Sequence, residues 1–372
     1  MASARATTLA QGFSTKLLKE VYDKSLIDYI VNRDYEGEIN AVGSKLNIGN
    51  IARISEKTYA GSALAADSLG ENTTVLTIDQ FKSFYWKEKT LDNWKSYIKN
   101  PHPTVVVQKA DERNRNMDVY ALGFYTDVAA GNRVGTSYTT GTVEIANTTG
   151  VVTGGGTTFT SAMVGRGFKA TGHSKWYRVK AVNSTTELVI EDDLDDVASA
   201  YTGGAINAGA TYEIEAVTAL SVTKANLLNT IAKLREKLDT AERNGMSAVP
   251  DSGRWLVVPP EFETKLVQAT GIALHVPAVY EELVKKGMIT ELLGFKVFKS
   301  NRLTGNNTDG FRVLAGHSNW MTFAEKLLEA TIEEDLPGDF GTAYKDLFVY
   351  GAKVPDVRRH YAAELLCTFA AE

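Results

Sequence analysis

Residues 254–303 read RWLVVPPEFETKLVQATGIALHVPAVYEELVKKGMITELLGFKVFKSNRL. Arg254-Trp255-Leu256-Val257-Val258 is a short apolar run of β-formers, which predicts a buried strand. Pro259-Pro260 stops it and opens a helix, because proline in the first helical turn gives up only an amide with no intrahelical partner. Gly287 ends a second helix, and Gly294 lies in the turn after Leu292-Leu293. Phe295-Lys296-Val297-Phe298 then alternates like a half-buried strand. The order is strand, helix, helix, strand, with little reactive chemistry in it. That order alone suits many α/β folds, so the flanks must decide.

Upstream, residues 1–13 are small and polar and read as a flexible arm. From Ser14 to Val31, Leu17, Leu18, Val21, Tyr22, Leu26, Tyr29 and Ile30 recur at spacings of three and four, which predicts an amphipathic helix with Ser14 as N-cap. Leu46, Ile48, Ala52 and Ile54 mark one strand, and Leu76, Ile78, Phe84 and Trp86 mark one face of another. Between them YAGSALAADSLGENTT, from Tyr59 to Thr74, is soft and wide. A two-stranded hairpin is marginal alone, so this one must lie on something else, such as another subunit. Pro101 and Pro103 open a helix over about 104–125, with Val106, Val107, Ala110, Met117, Tyr120, Ala121 and Phe124 as its apolar side.

Composition then changes. Residues 131–210 hold 13 of the 31 glycines and many threonines. Short β-like runs (TVEI from Thr142, GFKA from Gly167, WYRV from Trp176, ELVI from Glu187, YEI from Tyr212) predict a small sandwich or barrel. A helix follows over 223–243, where Leu227, Ile231, Leu234, Leu238 and Ala241 advance by four, three, four and three before Gly245. Beyond residue 303 come strands at 311–314 and 320–323, and a tail, LFVYGAKVPDVRRHYAAELL, that begins as a strand at 347–350.

The succession VVPPEF, KKGMI, LLGFKVFKSNRL resembles the central portion of tailed-bacteriophage major capsid proteins of the Hong Kong 97-type fold. YEGEINAVGSKLNI with LTIDQFKSFYWKEKTLD resembles the two limbs of that family's extended loop, and YGAKVP resembles its last strands. The stretch from GTVEIANTTG to VIEDDL resembles a small β-module found in phage structural proteins. The resemblance implies an α+β chain. Its parts would be an N-terminal arm and helix (1–43), an extended β-hairpin loop (44–90) and a peripheral domain with a long spine helix (91–125). An axial domain (126–137 and 216–318) would carry an inserted all-β sandwich or barrel (138–215), and peripheral return strands would close the chain (319–372).

Bulk properties agree with a structural role. The chain of 372 residues is 44% hydrophobic, enough for roughly two or three domains. The net charge of −5 and the lack of a dense basic stripe exclude a dedicated nucleic-acid binder. The lone Cys367 excludes an internal disulfide and reads as a small buried hydrophobe. No run is long and apolar enough for a transmembrane helix, and the N-terminus lacks the features of a secretory signal.

Residues that invite chemistry all have plainer readings. His102, His173, His275, His317 and His360 do not stand at metal-ligand spacing, so no metal is expected. Gly154-Gly155-Gly156 lacks the ending of a phosphate loop and reads as a hairpin turn. Asp192-Asp193-Leu194-Asp195-Asp196 lacks calcium-loop spacing and reads as a solvated loop, as does Glu333-Glu334-Asp335. Trp176-Tyr177 should fill a barrel core. Gly316-His317-Ser318 lacks a nucleophile elbow. Lys45, Lys57 and Lys82 lie in or beside the loop, but nothing marks them for crosslinking.

No catalytic, cofactor or metal site is therefore expected. The resemblance implies a non-enzymatic subunit, made in the host cytoplasm, that assembles with itself into pentamers and hexamers of an icosahedral virion shell. Its other partners would be a separate scaffolding protein, a portal, a decoration protein, and enclosed DNA held without specific recognition; no membrane partner is implied. The module should project outward, and excising 140–212 should leave soluble protein. The alternative is a carbohydrate- or surface-binding β-module protein, supported by the module alone.

Overall fold

In the computed structural model, the strand Arg254–Val258 is buried at all five positions, as an uninterrupted apolar run requires. The structure describes residues 25–35, 45–51, 56, 71–95, 102–146, 149–192, 200–241, 247–273, 291–334 and 340–369. The expected arm, most of the 14–31 helix, the loop tip, the second helix of 254–303, His275, Lys57, Gly245 and the acidic residues 193–196 lie outside them. The chain forms two units. One comprises 1–25, 79–116 and 325–350, and the other 26–78, 117–324 and 351–372.

The larger unit is built on Arg254–Val258. The helix Pro260–Ala273 follows it, and Phe295–Lys299 pairs parallel to it, Trp255 opposite Lys296 and Val258 opposite Lys299. Glu291–Leu292 and Phe295–Lys299 form a hairpin whose two-residue turn, Leu293-Gly294, has φ of +48° and +80°. Two positive φ values give the turn that matches strand twist, and glycine supplies one without strain. On the other side Phe311–His317 pairs antiparallel, followed by Ala362–Phe369 and then Leu220–Val222. Arg133–Val134 adds a short parallel strand against Glu364 and Leu365. The helix Leu227–Asp239 buries Leu227, Ile231, Leu234 and Leu238, the expected stripe.

The same unit contains an eight-stranded sheet over 136–218, running Ile206–Ala210, Thr142–Ile145, Val151–Gly155, Glu187–Glu191, Tyr177–Ser184, Gly167–Ala170, Tyr212–Thr218, Thr136–Tyr138. Every pairing is antiparallel. It has a core of its own, including Val152, Phe168, Tyr177, Val179, Leu188 and Ile214. Also in this unit, Lys45–Ile51 pairs antiparallel with Glu71–Thr77, from Lys45 opposite Thr77 to Ile51 opposite Glu71.

In the smaller unit, Gln80–Lys89 pairs antiparallel with Gly341–Lys353, from Gln80 opposite Tyr350 to Lys89 opposite Gly341. The long strand Met321–Glu333 supplies its 325–333 end to the same unit. The helix His102–Leu122 supplies residues up to 116.

Four readings change. Leu76 and Ile78 do not share a strand with Phe84 and Trp86, because the pairing breaks between Thr77 and Gln80 and each limb finds a different partner. The tail does not return as one group: Ala362–Phe369, buried at seven of its eight positions, belongs to the seven-stranded sheet beside Phe311–His317. A strand apolar on both faces needs a covered central position, and this sheet offers one. The triple glycine ends the strand Val151–Gly155 and is not a hairpin turn. There the chain folds onto itself so tightly that a Cβ on Gly154 would meet Thr157 Oγ1 at 2.1 Å.

The fourth change concerns the long helix. Val106 and Val107 are exposed, while Lys109 and Arg113 turn to the sheet. The sheet presents Asp346 and two aromatic rings there, so cations with long apolar stems fit better than valines.

Candidate assembly surfaces and buried charge

In the smaller unit the two faces of the Gln80–Lys89 strand differ. Phe84 and Trp86 lie on the helix side. Trp86 stacks on Tyr344 with ring centroids 4.9 Å apart. Lys109 Nζ and Arg113 Nη2 reach Asp346 Oδ2 at 3.1 and 3.0 Å, and the Phe84 N–H donates to Asp346 Oδ1 at 3.1 Å. The Arg113 guanidinium lies 4.0 Å from the Phe348 ring centroid. Burial pushes the Asp346 carboxyl up, but these donors and cations outweigh it and hold it below the ordinary range.

The opposite side carries Phe81, Ser83 and Tyr85, paired with Val349, Leu347 and Lys345. Phe81 is 61% exposed and Tyr85 60%. Lys345 pairs with Glu333, which places Leu327 on this side by alternation, and Leu327 is also exposed. Apolar side chains lined along one sheet face, and not scattered singly, mark a surface built to be covered. Lys45 and Lys82 are exposed on strands, Lys82 opposite Phe348.

Among the buried carboxylates of the larger unit that sequence reasoning missed, Glu364 and Glu215 lie around one arginine, Arg133. Glu364 is fully buried and touches three arginines. Arg166 Nη1 lies 3.0 Å from Oε2, Arg312 Nη1 2.8 Å from Oε1, and Arg133 Nε 3.5 Å from Oε2. Burial raises its pKa, yet the three cations prevail and keep it low. Glu215 has no such pairing. Its Oε1 accepts from the Gly131 and Gly167 N–H groups at 2.8 and 3.1 Å, and its Oε2 from the Arg133 N–H at 3.3 Å. Burial prevails there and pushes the carboxyl up to about 7. A signal for Glu364 was present, a lone charge inside AAELLC. Glu215 gave none, since YEIEAV alternates as if it faced water.

The residues singled out from the sequence do not converge. Among the described residues, no three His, Cys, Asp or Glu side chains gather as a metal set. His102 begins the long helix. His173 is buried in the eight-stranded sheet. The Ala170 N–H donates to its Nδ1 at 3.2 Å, so the ring proton sits on Nε2 and is donated to the Tyr201 hydroxyl at 2.6 Å, which donates to Gly204 O. Burial, helped by Lys169, lowers its pKa to about 4. His317 ends its strand and accepts from the Asn319 N–H, and His360 lies against Ser247.

Tyr177 fills the core of the eight-stranded sheet, but Trp176 lies against Gly131. Asp192 is buried, bound to Lys175 at 2.6 Å and to the Thr202 hydroxyl at 2.7 Å. Cys367 is buried, and burial pushes its thiol up to about 12. Among the described residues, no helix is long and apolar enough to cross a membrane.

Residues 169–363, just over half the chain, match the family described as phage capsid protein. No curated protein matches. Among solved structures, the chain is similar to one titled Mycobacterium phage Che8 at 18% identity, covering 97% of this chain and 98% of that one, with a TM-score of 0.59. It is similar to the capsid structure of the cyanophage P-SCSP1u at 15% identity, covering 98% and 94%, TM-score 0.58. It is also similar to the mature capsid of bacteriophage PhiM1 at 12% identity, covering 96% and 91%, TM-score 0.56. These likenesses, at low identity and nearly full length, show the fold.

Proposed function

The chain belongs to the phage capsid protein family and is a tailed-phage major capsid protein of the Hong Kong 97-type fold that forms the head shell, and on that premise we propose how it does so. Copies gather into pentamers and hexamers that tile an icosahedral wall around double-stranded DNA. The observation that carries this reading is the uncovered apolar face of Phe81, Tyr85, Leu347 and Leu327, which another copy covers. The arm (1–43) and the hairpin of Lys45–Ile51 with Glu71–Thr77 clasp neighbours. The smaller unit is the peripheral domain. The seven-stranded sheet is the axial domain, with 351–372 joined to it. The 138–215 module is an insertion within it.

The mechanism is assembly and not catalysis. A standard interface buries about 1,600 Å². A subunit with several surfaces makes several interfaces, so modest contacts sum to a stable wall. The net charge of −5 suits a wall over which DNA slides without being gripped. A separate scaffolding protein, a portal and a decoration protein complete the set of partners. The protein is made in the host cytoplasm and resides in the virion.

Size-exclusion chromatography with negative-stain microscopy of the purified chain tests the reading. Capsomers or shells are expected. A small monodisperse species at all concentrations, with and without co-expressed scaffold, would refute it.

A further inference from the structure

The buried charge at the edge of the eight-stranded sheet has a specific geometry. Two stretches of chain link that sheet to the seven-stranded one, at Gly135 and at Ala219, and Gly135 runs beside Ala216 of the second. They pass so close that a Cβ on Gly135 would lie 2.8 Å from Ala216 Cα. The pairing of Tyr212–Thr218 with Thr136–Tyr138 is irregular between Ile214 and Thr218, and Ala216 has a φ of +49°. Tyr212, Glu213 and Ile214 alternate buried, exposed, buried, so Glu215 should face water, yet it is buried. It is buried because the segment that leads into the module covers it, the Gly131 and Arg133 amides donating to its carboxylate.

Other links cross the same junction. Arg166, from the module, gives Nη1 to both oxygens of Glu364, which belongs to the seven-stranded sheet. Arg133, beside Glu364 in that sheet, gives Nη1 to Gly165 O of the module at 2.7 Å. Trp176 of the module covers Gly131, where a Cβ would lie 2.5 Å from its Cδ1. Lys237 of the helix Leu227–Asp239 donates to Gly131 O at 2.7 Å and lies 5.9 Å from the Trp176 ring centroid.

From this arrangement we infer that Glu364, Glu215 and their partners form a clamp that holds the 136–218 module at a fixed angle on the seven-stranded sheet. The module is an orienting part of the subunit and not a free appendage. Arg166 acts through Glu364 as a positioning residue. Excising 140–212 would take Arg166 from Glu364, Gly165 O from Arg133 and the Gly167 amide from Glu215, so excision is not neutral as the sequence suggested. In a shell, the clamp fixes which surface of the module each capsomer presents.

Hydrogen exchange with mass spectrometry on the full chain tests this. In the wild type, peptides over 128–135 and 163–168 should exchange as slowly as the strand cores 187–191 and 311–317. Arg166→Met removes a charge from the clamp, and Gly131→Ala drives a methyl into Trp176. Each should speed exchange at 128–135 and 163–168 by roughly a hundredfold, the scale on which breaking a buried pair acts. The cores at 187–191 and 311–317 should stay protected in both. Three results would overturn the inference: wild-type junction peptides exchanging as fast as the exposed turn at 305–310, variants matching the wild type, or protection lost throughout both sheets. The last would mean that these residues keep the fold and do not orient the module.

Discussion

Replacing Phe81 with serine should damage assembly while sparing the subunit. Phe81 is 61% exposed on the outer face of its strand. A phenylalanine offers about 200 Å², so roughly 120 Å² of ring is available for a neighbour to cover. At about 25 cal/mol/Å² that area is worth about 3 kcal/mol per subunit. Serine forfeits nearly all of it. The cost within the subunit is one cross-strand pair with Val349, about 0.2–1 kcal/mol. The concentration at which half the protein assembles should therefore rise by roughly a hundredfold, at 1.4 kcal/mol per factor of ten. Sedimentation across a dilution series measures the midpoint, and a circular-dichroism melt of unassembled subunit checks the fold. An unchanged midpoint with an intact subunit would mean that no copy covers this face. A subunit that melts many degrees lower would mean that Phe81 belongs to the fold.

Three further outcomes are expected. Asp118 is fully buried, accepts the Leu26 N–H at 3.1 and 3.2 Å and pairs with Arg302, so Asp118→Ala should cost about 3–5 kcal/mol in urea denaturation; a loss under 1 kcal/mol would show that the pair is solvated. Burial raises Glu215 to about 7 from an ordinary 4.5, so its contribution to stability is fully present below pH 4.5 and is lost as pH rises through 7. Between pH 5 and pH 8 the wild type should lose about 3 kcal/mol from this group, a loss absent in Glu215→Gln, and parallel pH profiles for the two would contradict that. His173 is depressed instead, so its contribution is present above pH 6.5 and is lost as pH falls through about 4. Its ring-proton titration by NMR should have a midpoint below 5, and a midpoint near 6.5 would show an open module.

Much of this architecture could be read from the chain. The 254–303 segment announced its strands through apolar runs and its turn through Gly294, because those signals are local. The helix Leu227–Asp239 followed from its stripe for the same reason. Pairing partners were harder. Nothing in FVYGAK or AAELLC says which sheet each joins, since both are apolar and the choice lies in distant strands. The long helix misled because its apolar valines are exposed while Lys109 and Arg113 lie inward, a preference set by Asp346 more than two hundred positions away. The outer face of Phe81 and Tyr85 was hidden in an alternation that looks the same whichever side is covered. Glu215 could not be found at all, since the segment that covers it, at Gly131 and Arg133, lies 84 and 82 positions away.

The crossing at Gly135 and Ala216 has a practical meaning for grafting. The ends of the module emerge side by side, so a foreign domain with neighbouring termini could be spliced there without stretching the chain. Chain geometry is the easy part of such an exchange. A replacement must also bring a cation to Glu364 and an acceptor to Arg133. A guest that reproduces those two atoms would be carried by the shell at a defined tilt. One that merely fits the gap would be tethered to a subunit with a wound in its charge.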